Sequence, residues 1–249
     1  LVLQYVFLLV KTYNWRSIVS NNLRASGLDI SKALQVGWYN QSIAVEHRLP
    51  DFGNPVSLAL LIGNTRKIWA PFLAWLADDH LRLELSNPLE SYVEMTIGKT
   101  FGELDVPHRI RFSHHPEPYH IAFQQLAEVA GLAWRSPAHL SVHPEYGCWI
   151  ALRAVVVIDL PGPCGQQPGM EPLCRDCMSG CLPELDKVFG NSHGAMPGYQ
   201  DVAASWQDWL AIRDACSIGK NYRYSDDQIR YHYIKDRNFL KSLIEAVPD

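Results

Sequence analysis

Cysteine and histidine are the side chains of this sequence best suited to thiol chemistry or metal binding, and their spacing narrows what they can do. Four of the six cysteines, Cys164, Cys174, Cys177 and Cys181, fall within 18 residues, while Cys148 and Cys216 stand alone. The Cys174-x-x-Cys177 spacing lets two thiols approach one metal ion or each other, and Cys181 extends the group. One tight cluster with only His193 nearby lacks the two separated knuckles of most zinc modules. Structural zinc, a redox-active dithiol and plain loop thiols therefore all stay open. His114, His115 and His120 fit no standard zinc spacing, and adjacent side chains on a strand point apart, so these read as surface or capping histidines with no metal. Arg153 lies in the apolar run WIALRAVVVIDL, where a guanidinium needs an anion or a core carboxylate to offset several kcal/mol of burial. Trp206-Gln207-Asp208-Trp209 with Arg213-Asp214 sets two indoles and a guanidinium on one helix, although core packing alone accounts for the indoles. No Walker loop, G-x-G-x-x-G, H-E-x-x-H or G-x-S-x-G is present.

The elements that must position these groups show in the pattern. Val56 to Ile62 (VSLALLI), bounded by Gly53-Asn54-Pro55 and Gly63-Asn64, predicts a strand buried on both faces. Asn64 is placed to cap a following helix on which Ile68, Phe72, Trp75 and Leu76 recur at helical spacing. Asn87-Pro88 predicts a second helix start, with Leu89, Tyr92, Val93 and Ile97 on one face up to Gly98. Asn14 to Asn22 reads as helix with Gly27 as its stop, and Ser31 to Val36 follows. Arg109 to Ser113 reads as a short strand and Ile121 to Gly131 as a helix. Trp149 to Leu160 is the longest strand candidate, with Trp149, Ala151 and Arg153 on one face. Pro161 to Pro172 gathers four Pro and three Gly, a loop. Helices follow at Tyr199 to Cys216 and Ser225 to Ala246, the second opened by the capping box Ser225-Asp226-Asp227-Gln228. The pattern predicts an α+β fold with helices covering a mixed or antiparallel sheet of at least three strands. It forms one domain over residues 1–249, with a Pro/Gly/Cys-rich loop at 161–182.

Composition sets the outer bounds. The 249 residues are 47% apolar and 19% charged, with a net charge of −4, which describes a folded, nearly neutral chain. No basic face is available for a nucleic acid backbone. Leu1 to Val10 is apolar apart from Gln4, but a helix needs about 20 residues to span a bilayer. It reads as a buried or oligomer-facing helix, with a residual targeting or anchoring segment as the alternative, and no other stretch is a membrane candidate.

Several segments, taken in order, resemble the CblC family of animal cytosolic cobalamin-processing chaperones. They are Trp38-Tyr39-Asn40, the strand before Pro71-Phe72-Leu73, Val129-Ala130-Gly131-Leu132-Ala133, and His143-Pro144 leading to Gly147-x-Trp149-x-Ala151-x-Arg153. The match continues through Trp206-x-Asp208-Trp209, Arg213-Asp214-Ala215 and Tyr224-Ser225-Asp226-Asp227-Gln228, covering roughly residues 30 to 246. The resemblance implies a nitroreductase-like (flavin reductase-like) sheet covered by helices. It implies an intracellular enzyme that binds cobalamin base-off and removes the upper axial ligand. Alkylcobalamins are dealkylated by glutathione and cyanocobalamin is reductively decyanated, with FMN or FAD as a further electron source and thiol oxidase as a side activity. A flavin-dependent nitroreductase and a non-catalytic cobalamin-binding module are the rival readings.

By the same resemblance, Arg153, Arg213 and, through a looser alignment, Arg237 hold and activate glutathione. Ile121, Ala122, Phe123, Gln124, Ser136, Ser141, Trp149, Leu152 and Tyr224 meet the cobalamin, and Arg135 adds positive charge near the thiol site. Partners by family analogy are a CblD-type adaptor and downstream cobalamin-dependent enzymes, with a monomer or ligand-induced homodimer in the cytoplasm. Glu128 stands where vertebrate members carry a histidine, and Trp134-Arg135-Ser136-Pro137 replaces a tyrosine-rich segment. The Cys174, Cys177, Cys181 cluster lies outside the family pattern and is expected to modulate thiol redox chemistry.

Overall fold

The computed structural model describes residues 15–177, 179–191 and 199–245, so Leu1–Val10 and His193 lie outside the described residues. Strands β1 (Ile30–Gln35), β2 (Ser57–Asn64), β6 (Ala151–Pro161) and β3 (His108–Phe112) form a four-stranded sheet in the order β1-β2-β6-β3, antiparallel throughout. A small hairpin of β4 (Trp134–Arg135) and β5 (Ser141–Val142) stands apart from it. The mixed helix and sheet architecture predicted from the sequence is present, with one strand more than the minimum.

The unbroken apolar runs of β2 and β6 follow from their central position, because both of their faces are covered. On one face Leu58, Ile62, Ala154, Val156 and Ile158 pack with helices α1 (15–25), α3 (Trp69–Asp78), α4 (Pro88–Gly102) and α10 (Arg237–Glu245). On the other, Ala59, Leu61, Val155 and Val157 pack with α2 (Val36–Asn40) and α5 (Phe123–Val129). Beyond β6, α6 (Cys181–Asn191), α7 (Tyr199–Ala204), α8 (Trp206–Asp214) and α9 (Asp226–Ile234) build a third packed region that includes Trp149, Leu210 and Tyr224.

Several predicted boundaries shift for identifiable reasons. Thr65, and not Asn64, caps the turn before α3, accepting from the Lys67 N–H at 3.3 Å. Asn64 is held instead by the sheet, where its side chain meets Arg153. Helix α4 runs through Gly98 to Gly102, since its apolar face continues to Phe101. The predicted Tyr199–Cys216 helix is two helices interrupted at Ser205. The last predicted helix breaks at Lys235, which takes a left-handed conformation (φ +56°) and sends its Nζ to Glu90 at 2.7 Å. The capping box is half made: Ser225 Oγ accepts from the Gln228 N–H at 3.3 Å, but the Gln228 amide turns inward and its Nε2 is buried without a partner. Strand β6 begins at Ala151, leaving Trp149 in the approach to it.

Two local devices aim the chain toward Arg153 and Cys148. Ile62 pairs with Ala154 and Gly63 with Leu152, so Arg153 is the extra residue of a bulge in β6. A bulge breaks the two-residue alternation and re-aims the side chain it carries. Farther along, Gly147 (φ +58°) and Gly219 (φ +73°) cross backbone to backbone. A Cβ on Gly147 would run into the Ile218 carbonyl, and one on Gly219 into the Tyr146 carbonyl. This crossing lays Cys148-Trp149 against the segment from Arg213 to Cys216.

Gly147→Ala adds left-handed strain of about 1–2 kcal/mol and an overpacking term of about 1–3 kcal/mol. We expect urea unfolding to show a loss of roughly 2–5 kcal/mol. A loss under 1 kcal/mol would mean the crossing is not tight.

Candidate functional site

Arg153, aimed by its bulge, is buried, with 8% of its surface exposed. Its Nε donates to Asn64 Oδ1 at 2.7 Å, while Nη2 is buried with no hydrogen-bond partner. The carboxylate that acts on it is Glu90, but Glu90 is itself engaged by Lys235 at 2.7 Å. Burial would raise the Glu90 carboxyl, yet Lys235 and then Arg153 hold it below its ordinary value. Of the two outcomes open for Arg153 in the sequence, direct pairing with a core carboxylate is therefore not the one found among the described residues.

Arg213, at the end of α8, reaches the same region from the other side. Its Nη2 donates to the Cys148 carbonyl at 2.6 Å, and the Cys148 thiol donates back to the Arg213 carbonyl at 3.4 Å. The guanidinium lies 4.5 Å from the centre of the Trp149 ring and 5.2 Å from that of Tyr224. A desolvated cation over an aromatic face is stabilised by about 2 kcal/mol, which offsets part of its burial. Trp149 and Tyr224 meet edge to face, with centroids 5.5 Å apart.

The Tyr224 phenol lies under the influence of both guanidinium groups, and burial raises its pKa, keeping it neutral. His232 is likewise held well below its ordinary value by burial and then by Arg153, Lys235 and Arg213, so it adds no charge. The region thus concentrates two buried cations on neutral hydrogen-bonding groups. Such an arrangement favours an anion or the ionised form of a weak acid.

An open cleft of about 300 Å³ adjoins Arg213. Of the residues predicted to meet a ligand, Phe123, Gln124, Ser141 and Leu152 line it, together with Cys148, Ile150 and His139. Ser141 Oγ is buried with no partner, and Gln124 Nε2 is held by the His139 carbonyl at 2.7 Å. Phe123 opens α5, whose start is fixed by the Ala122 N–H donating to the Tyr39 hydroxyl at 3.1 Å. A larger cavity of about 440 Å³, lined by Trp75, Tyr92 and Lys99, contains none of the candidate residues.

The remaining predicted residues are placed otherwise. Trp149 and Tyr224 are buried behind the cleft, as the frame of Arg213. Ile121 belongs to the core under the sheet, and the Ser136 hydroxyl accepts from the Leu140 N–H at 3.1 Å, closing a turn. Arg135 is half exposed and pairs at 3.4 Å with Glu128, the residue that replaces the vertebrate histidine. Arg237 stands exposed at the start of α10, which packs on α3. His114 and His115 do not point apart: β3 ends at Phe112, and both imidazoles turn to Glu94 Oε1, at 2.6 and 3.0 Å.

Asn64, Glu90, Lys235 and His232 escape sequence reasoning, because each reaches the site through tertiary packing. The signal available for Asn64 is its place at the end of the most buried strand. Cys148 and Cys216, apart in sequence, are neighbours in one buried cluster with Trp149 and Tyr224, and Cys174 packs against it.

No family model matches the chain. The human cyanocobalamin reductase / alkylcobalamin dealkylase is 27% identical over 223 residues, spanning 79% of this chain and 70% of that protein. The Danio rerio protein of the same name is 26% identical over 233 residues, spanning 84% of each. The crystal structure of a C. elegans B12-trafficking protein, CblC, superposes with a TM-score of 0.71 at 19% identity, covering 97% of this chain and 99% of that one.

Asn64→Ala would leave the Arg153 Nε buried without an acceptor, which costs about 1–3 kcal/mol. We expect that loss in urea unfolding, with Asn64→Asp retaining the acceptor and most of the stability. If Asn64→Ala unfolds at the wild-type midpoint, the pair contributes nothing. The chain is thus similar over most of its length to proteins named cyanocobalamin reductase / alkylcobalamin dealkylase, and it shares the fold of a CblC protein.

Proposed function

We propose that this protein binds cobalamins base-off and removes the upper axial ligand, by glutathione-dependent dealkylation of alkylcobalamins and reductive decyanation of cyanocobalamin. The observation that carries the reading is the convergence of Arg153 and Arg213 on Tyr224, beside an apolar cleft with polar groups at its rim. Relatives in two vertebrates carry both activities in their names. We read the sheet and its covers as a nitroreductase-like fold, acting as one cobalamin-processing unit.

The cleft, at about 300 Å³, is at the lower end of ligand-pocket sizes. A corrin therefore lies across its open mouth, with Phe123 and Leu152 against the ring and Ser141 and Gln124 facing its amide side chains. Glutathione, a peptide with two carboxylates, sits with its charge toward Arg153 and Arg213. Each unit by which these cations lower the thiol pKa corresponds to about 1.4 kcal/mol of preference for thiolate. The thiolate attacks the cobalt-bound carbon. A sulfur–carbon bond forms, the Co–C bond breaks with its electron pair left on cobalt, and the products are a thioether and cob(I)alamin.

Decyanation needs electrons as well as a site. FMN or FAD would supply them when bound, and a thiol is the other donor. Thiol oxidase activity follows if the reduced cobalt is reoxidised while glutathione continues to bind. The protein acts in the cytoplasm as a monomer or ligand-induced homodimer, handing its product to a CblD-type adaptor and cobalamin-dependent enzymes. Among the described residues, no helix is long and apolar enough to cross a membrane.

Methylcobalamin mixed with the protein should show a base-off visible spectrum, and anaerobic glutathione should then produce cob(I)alamin. Arg153→Gln and Arg213→Gln should each raise the glutathione KM about tenfold or more, the loss of roughly 1.5–3 kcal/mol carried by a hydrogen bond to a charged group. Cobalamin Kd should change less than threefold. Equal losses in both would remove the assignment of these arginines to glutathione.

A further inference from the structure

Cys148, Cys174 and Cys216 share one packed cluster and Cys177 lies beside Ser217, although the sequence places these four cysteines in three separate segments. Cys148 is on the cleft wall, next to Arg213. Cys216 packs in the same buried cluster as Cys148, with the Ile218 backbone N–H serving its sulfur. The loop bearing Cys174 and Cys177 is docked on the following residue. Ser179 Oγ donates to Ser217 Oγ at 3.0 Å, the Ser217 N–H donates to Ser179 Oγ at 3.3 Å, and Cys177 Sγ is 4.0 Å from Ser217 Oγ. Among the described residues, the group with three donor atoms within 4.8 Å of one another is Glu94, His114 and His115, so the thiols are not gathered around one metal ion.

We propose that Cys177, Cys216 and Cys148 form a thiol–disulfide relay linking the protein surface to the cleft wall, with low-molecular-weight disulfides such as glutathione disulfide as its external substrate class. The local chemistry alternates along this path as exchange requires. Contacts with Ser179, whose backbone N–H donates to Cys177 Sγ at 3.4 Å, hold the Cys177 thiol below its ordinary value at the accessible end. Cys216 is held below its ordinary value, chiefly by its contact with Cys148 and then by the Ile218 N–H, with Lys220 adding charge, whereas that contact and burial raise Cys148.

The steps balance without any other reactant. The Cys177 thiolate attacks glutathione disulfide, forming a mixed disulfide and expelling one glutathione thiolate. The Cys216 thiolate attacks Cys177 Sγ, expelling the second and closing Cys177–Cys216. Cys148 loses its proton to solvent and attacks Cys216 Sγ, releasing the Cys177 thiolate and closing Cys148–Cys216. Overall, two protein thiols are oxidised by two electrons while one disulfide is reduced to two thiolates. Run backward, the path reduces a disulfide on the cleft wall from outside. This chemistry does not require that the cleft bind glutathione or cobalamin.

The test uses the reduced full-length chain, free of cobalamin, equilibrated anaerobically in glutathione/glutathione disulfide buffers, quenched by alkylation and mapped by peptide mass. The expected result is cross-linked peptides Cys177–Cys216 and Cys148–Cys216, with Cys177→Ser slowing formation of the second at least tenfold. Cys148→Ser should stop at Cys177–Cys216. Cys216→Ala should abolish both links and accumulate glutathione on Cys177, an adduct at an exposed position that reads out even if the core of this variant loosens. The relay is overturned if wild-type Cys216 stays fully alkylated while Cys177 is glutathionylated. It is equally overturned if Cys174–Cys177 is the sole link formed, or if Cys148–Cys216 forms at the same rate without Cys177.

Discussion

A guanidinium inside a protein must be answered by something, and in this fold Arg153 is answered only in part. Moving a cation from water into a protein interior carries an effective penalty of several kcal/mol. Asn64 satisfies one nitrogen, while Nη2 remains buried and unpaired. The nearby carboxylate that would neutralise it, Glu90, is bound by Lys235. The bulge in β6, the side chain of Asn64 at the end of β2 and the left-handed break at Lys235 all serve this one unbalanced charge. A fold selected for stability alone would place an apolar residue there. The arrangement makes sense as a charge kept available for an anionic ligand.

Arg213 completes the arrangement by a different physical route. It is satisfied by a carbonyl, the Tyr233 hydroxyl and two aromatic faces, and no carboxylate among the described residues neutralises it. The clamp between Arg213 and Cys148 depends on the crossing of Gly147 and Gly219, which also sets Cys148 beside Cys216. One backbone crossing therefore positions both the cationic pocket and the buried thiols. This is why Cys148, Cys216 and the guanidinium of Arg213 occupy one region.

Much of this is legible in the sequence wherever local physics decides. The run VSLALLI is apolar at every position because β2 is covered on both sides, and the apolar stretch of β6 identifies its partner. Arg153 stands out because a charge in such a strand demands an explanation. The identity of its partner does not follow, since Asn64 looks like a helix cap when only its neighbours along the chain are considered. Lys235 cannot be read as a helix break, because the force that bends the chain there is its pairing with Glu90, 145 residues away. His114 and His115 depart from expectation for a similar reason: a strand that ends at Phe112 frees both rings to turn to Glu94.

We propose that Arg153 is retained for a ligand at the expense of stability. The most direct measurement is urea unfolding of Arg153→Met beside calorimetric titration of glutathione into its cobalamin complex. The account predicts a variant at least as stable as the wild type, because replacing an incompletely paired buried ion by an apolar side chain is often neutral or stabilising by about 1–4 kcal/mol, together with at least tenfold weaker glutathione binding. A variant destabilised by about 3 kcal/mol or more that binds glutathione as the wild type does would show that Arg153 is a structural group, and would contradict the account.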